Sequence, residues 1–172
     1  MLLVLSAVIF GQEQGMTPQW DIREAIASLR AQIASLQPYM EQLDPADWSD
    51  QTAPDAYAGQ WQSLRNEIGY LDRALGELSQ NPASLSKSVE SFLRMLSVEE
   101  MMDSFLDGVR RYHNPAIADL LTGIMNEGSD ERAGMRRYLL EVATTQENEC
   151  KIALQEAQRC RSELLARPPS SR

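Results

Sequence analysis

The chain has 172 residues, 43% of them hydrophobic, and a formal net charge of −9 at pH 7. That length and apolar content suit one domain with a real core and exclude a chain that is disordered throughout. The acidic residues are spread along the whole sequence, so the clustered basic surface needed for a nucleic-acid backbone or an anionic bilayer is missing.

Residues 1–11, MLLVLSAVIFG, form an uncharged apolar run that is followed at once by GQEQG. A bilayer-spanning helix needs roughly twenty apolar residues, so this run is too short to span. It reads instead as the apolar core and small-residue end of a secretory signal, cleaved after Gly11, although no Lys or Arg precedes it. The alternative is a buried N-terminal helix or strand. On the first reading the mature protein is exported, periplasmic or extracellular, with no stable membrane insertion after cleavage.

Thr17-Pro18 reads as an N-cap followed by Pro at the first helical position. From there Ile22, Ile26, Leu29, Ile33, Leu36, Met40 and Leu43 recur at heptad spacing. Pro38 lies inside the run and is expected to kink or restart the helix. Asp44-Pro45 ends it, and residues 44–54 read as a linker anchored by Trp48. A second seam then runs through Tyr57, Trp61, Leu64, Ile68, Leu71, Leu75 and Leu78. Two seams joined by a short linker predict an antiparallel heptad hairpin over residues 17–80.

Asn81-Pro82 reads as the next helix start, with Leu85, Val89, Phe92 and Leu96 facing inward. Ser97 and Glu100 match a capping box, which predicts a fresh helix carrying Val98, Met102, Phe105, Val109 and Tyr112 on one face. Asn114-Pro115 opens a further short helix that ends at Glu127-Gly128. Residues 82–128 are thus expected to be a set of short helices.

Ser129 to Arg167 is the longest stretch with no Pro and with no Gly beyond Gly134, and it holds both cysteines. As one helix it would be about 57 Å long at 1.5 Å per residue, against about 40 Å for a compact domain of this size. Its far half must therefore project, while its first half is expected to be the spine of the fold. Pro168 and Pro169 close it, and 168–172 read as a flexible tail. The fold class is all-α, a bundle of five or six helices making one domain over 12–167, since no segment alternates with period two.

Most site chemistries are absent from the sequence. His113 is the single histidine, which excludes HExxH and multi-histidine metal sites, and no CxxC, GxSxG, P-loop or GxGxxG occurs. In RRYHNP, His113 beside Arg110 and Arg111 reads as a basic helix terminus that complements the dipole. Glu99, Glu100, Asp103 and Asp107 share one helical face, and their two readings are a cation-binding column or a solvated face. Met95, Met101 and Met102 offer soft thioethers, but at helical spacing they read as core. Trp20, Trp48 and Trp61 read as a plug at the hairpin's end rather than as a ligand-stacking cluster. No catalytic residue, metal ligand or cofactor follows from these readings.

The cysteines are the exception. Cys150 and Cys160 are about 15 Å apart along one helix and cannot bridge to each other. With Ala153, Ala157 and Leu164 they form a seam of spacing three, four, three, four. Two copies laid antiparallel would set Cys150 of each against Cys160 of the other, giving an intermolecular disulfide at each end and a homodimer through Cys150 to Leu164. The alternative is a pair of free thiols buried against the chain's own helices. The expected function is a non-enzymatic helical interaction or scaffold module, acting through a protein partner or self-association. A small-molecule-binding bundle, or an enzyme of another type with a pocket between helices, is the alternative, and a well-formed pocket lined by convergent polar groups would favour it.

Overall fold

The computed structural model describes residues 19–48 and 55–166. Five α-helices are found among them: α1 (Gln19–Gln42), α2 (Ala56–Gln80), α3 (Leu85–Tyr112), α4 (Pro115–Glu127) and α5 (Ser129–Ala166), with a 3-10 turn at Pro45–Asp47. The fold is an all-α bundle. The readings of residues 1–11, of Thr17-Pro18 and of the tail lie outside the described residues, as does the side chain of Trp20.

The helices start and stop where side chains satisfy the free backbone groups. Asp44 accepts from the Ala46 amide at 3.0 Å, and Asn114 accepts from the Ala116 amide at 2.9 Å with Pro115 next to it. Pro38 lies within α1, which runs through it as one helix. Asn81 is the C-cap of α2 rather than the start of α3; the N-cap of α3 is Ser84, which accepts from the Lys87 amide.

The first two helices are antiparallel. Arg23 donates to the Ser79 carbonyl, Arg30 pairs with Asp72 at 2.7 Å, and the Trp61 indole donates to the Met40 carbonyl at 2.9 Å, so the start of one helix lies beside the end of the other. Both seams point inward. Ile22, Ile26, Leu29, Leu36, Met40 and Leu43 are buried, as are Leu64, Leu71, Leu75 and Leu78, while Ile33, Tyr57, Trp61 and Ile68 pack partly buried against them.

Residues 85–112 correct the expectation of short helices. They form one 28-residue helix that lies against α2, α4 and α5, while α5 lies against α1, α3 and α4. The capping box at Ser97 is not used. A single heptad phase crosses it through Ser88, Ser91, Met95, Val98, Met102, Phe105 and Val109, all buried, so there is no change of face at which the helix would break. The inward face of the first half is therefore rotated from the expected one. Leu85 and Phe92 pack partly buried against the core, whereas Val89 and Leu96 are exposed along with Leu93. Small serines on the buried face let neighbouring helices approach, and the Ser88 hydroxyl is satisfied by the Ser84 carbonyl at 3.0 Å.

Helix α5 joins the bundle through its first half. Met135, Tyr138 and Val142 are buried, and the Tyr138 hydroxyl donates to the Pro82 carbonyl at 3.0 Å in the α2–α3 turn. Burial, with a smaller contribution from Glu141, raises the Tyr138 phenol above its ordinary value. Arg132 forms an ion pair with Glu99, and Ser28 of α1 donates to Glu131 at 3.1 Å.

Candidate interaction surface

The buried phase of α5 runs through Met135, Tyr138 and Val142, and the same spacing then reaches Thr145, Glu149, Ile152, Glu156, Arg159 and Glu163. Charge replaces apolar side chains on the face that would have to be buried, so the helix leaves the body. Every residue from Gln146 to Ala166 is exposed. At 1.5 Å per residue this arm is about 30 Å long. An isolated helix of this length is marginal in water, but the packed first half supplies the nucleus and the arm only extends it. Ala153, Leu154, Gln155, Glu156 and Ala157 favour the helix, and Arg159 pairs with Glu163 one turn on at 3.4 Å.

The arm carries apolar surface that the body does not cover. Ile152 is 56%, Leu154 59%, Leu164 67% and Leu165 81% exposed. Cys150 and Cys160 are free thiols, both exposed, which overturns the reading of thiols buried against the chain's own helices. The reason is the change of phase: among the described residues no helix of the body covers this half of α5. At the root of the arm, Gln146 donates to the Ala83 carbonyl at 3.0 Å, beside a shallow concavity lined by Asn81, Ala83, Ser84, Leu85, Ser86 and Gln146.

The other candidate residues are taken up by the fold. Glu99 pairs with Arg132 and Asp107 with Arg110, so the acidic column does not converge on one point. Met95 and Met102 are buried core and Met101 packs against them. His113 caps the end of α3 through its own amide, and its ring stacks on Trp48 with centroids 6.2 Å apart. Trp48 is buried among Tyr57, Phe105 and Tyr112, whereas Trp61 sits apart against the Met40 carbonyl with Arg65 over its face. Of the three tryptophans expected in one plug, Trp48 packs in an aromatic cluster and Trp61 lies outside it, while the side chain of Trp20 is outside the described residues.

A partly open void between α1, α2, α3, α4 and the start of α5, beside Leu29, Leu75, Val98, Met125 and Arg132, measures about 30 Å³, room for about one water molecule. A groove of about 400 Å³ runs between α1 and α2 past Gln37, Asn66 and Gly69, but its Arg65 is engaged with Trp61 and its Asp72 with Arg30. No helix among the described residues is long and apolar enough to cross a membrane. Comparison with protein-family models, with curated proteins and with solved structures finds no match.

Proposed function

We propose that this protein is an exported, non-enzymatic helical interaction module whose working element is the arm of α5. The observation that carries this reading is the run of exposed residues from Gln146 to Ala166, a helix about 30 Å long that keeps Ile152, Leu154, Leu164 and Leu165 in solvent. Large apolar side chains held on a helix away from the body offer contacts to another helix, with Leu154 and Leu165 on one side about three turns apart and Leu164 and Ile152 on others. In the α1–α2 groove Arg65 is engaged with Trp61 and Asp72 with Arg30, which speaks against a small-molecule role there. Export rests on the apolar run at residues 1–11.

Deleting residues 146–172 tests this. The truncated chain is expected to keep its helical body, with a melting temperature within about 2 °C of the full chain, because residues 146–166 are exposed and, among these described residues, Gln146 alone is seen to bond to the body, at the Ala83 carbonyl. Proteins captured by the full chain from the envelope fraction of its own cells are expected to be lost with the arm. Equal capture by both chains, or unfolding of the truncated one, would contradict the proposal.

A further inference from the structure

We infer that the partner of the arm is a second copy of this chain, docked antiparallel and locked by two symmetric disulfides between Cys150 of each copy and Cys160 of the other. This rests on the arm being the interaction element, and it names the occupant. The first argument is register. Cys150 and Cys160 are equidistant from position 155, and the exposed stretch from Gln146 to Ala166 is centred on position 156. The alignment that pairs the thiols is therefore also the one in which the two arms overlap along their whole exposed length, with the bodies at opposite ends. A register chosen by the cysteines alone had no reason to agree with the point at which α5 leaves the body.

The second argument is fit. In that register Cys150 faces the partner's Cys160, Ala153 faces the partner's Ala157, and Leu164 faces the partner's Gln146. The alanines allow a separation at the low end of helix packing, about 8–9 Å between axes; with Cα atoms at a radius of about 2.3 Å, facing seam positions come within about 5 Å of one another. That is inside the bridging range of about 4.4–6.8 Å between Cα atoms. The tip, with Leu164 and Leu165 among the most exposed apolar side chains, arrives at the concavity by the α2–α3 turn that Gln146 helps to line.

The third argument is charge. The chain carries −9 in all, yet the arm from 146 to 166 holds four acidic and three basic residues and is nearly neutral. Two arms can meet without large repulsion while the acidic bodies remain about 30 Å apart, beyond the screening length of about 8 Å at physiological salt. On one flank Glu147 faces the partner's Arg161, twice by symmetry, and Leu154 meets its own copy at the axis. The other flank brings Glu149 near the partner's Glu163 and Glu156 near its own copy. Glu163 is already paired with Arg159 of its own helix, so the unfavourable contact is confined mainly to the exposed rim at Glu156.

Bond formation requires an oxidant, and a low-molecular-weight disulfide is the chemical class that serves. The Cys150 thiolate displaces one thiol from it and forms a mixed disulfide; the partner's Cys160 thiolate then attacks the Cys150 sulfur and releases the second. Each interchain bond consumes one small disulfide and two protein thiols and returns two small thiols, so two protons and two electrons leave the protein.

The test is oxidation of the purified full-length chain in a glutathione buffer, followed by non-reducing electrophoresis, intact mass and peptide mapping. The expected product is a covalent dimer whose only interchain peptide joins Cys150 to Cys160. Cys150→Ser and Cys160→Ser are each expected to abolish it, because like cysteines lie about 15 Å apart in this register. An equimolar mixture of the two variants is expected to restore a singly linked dimer. A monomer with two alkylatable thiols, a link between like cysteines, or a dimer surviving in either variant alone would overturn the inference. A chain that stays monomeric but still captures other proteins through the arm would overturn the self-pairing and leave the interaction module standing.

Discussion

Phe105→Ala is expected to lower stability by about 3–5 kcal/mol, the usual cost of removing a fully buried aromatic ring. Phe105 has no exposed surface, and its ring lies 5.9 Å from that of Trp48. It sits on α3, the helix in contact with α2, α4 and α5, so the cavity would open where the bundle converges. For a chain of this size the melting temperature should fall by about 6–20 °C. Thermal unfolding followed by circular dichroism checks this. A fall of less than about 2 °C would show that Phe105 is not a core residue.

Leu64→Ala is expected to cost about 2–5 kcal/mol, while Arg30→Ala costs no more than about 1 kcal/mol. Both residues lie in the α1–α2 hairpin, but Leu64 is fully buried, and the Arg30–Asp72 pair is nearly half exposed on both sides. Urea unfolding of the two variants separates packing from surface charge. Equal losses would contradict the placement of the seam. Two neighbouring positions do not make the same comparison, for structural reasons. Ile33 is only partly buried and borders the α1–α2 groove, so its truncation leaves a smaller cavity. Glu67 has little exposure and pairs with Arg94 at 3.1 Å, so it is not a neutral surface site.

The all-α class, the two seams of the hairpin and the excess length of α5 were legible because each follows from apolar periodicity or from a length that no compact body can hold. The first half of α3 was not. Ser88 and Ser91 face the core while Val89, Leu93 and Leu96 face solvent, so hydrophobicity alone chose the wrong face. The same choice made Ser97 and Glu100 read as a helix start, since the face seemed to change there; with the serines counted, the phase is continuous and tertiary packing overrides the local signal. The central place of α3 in the bundle depends on contacts between distant residues, which no local pattern records. Along α5 the seam of Cys150, Ala153, Ala157 and Cys160 was legible by spacing. Its exposure was not, because that depends on where the neighbouring helices end.

Amide hydrogen exchange of the reduced, monomeric chain tests most directly whether the far half of α5 is a free arm. Residues 146–166 make their backbone bonds in a helix surrounded by solvent, so their amides should exchange by local opening, far faster than those of residues 95–109 in the buried seam of α3. Protection of 146–166 equal to that of 95–109 in the reduced monomer would contradict the account, because it would place the arm inside the body.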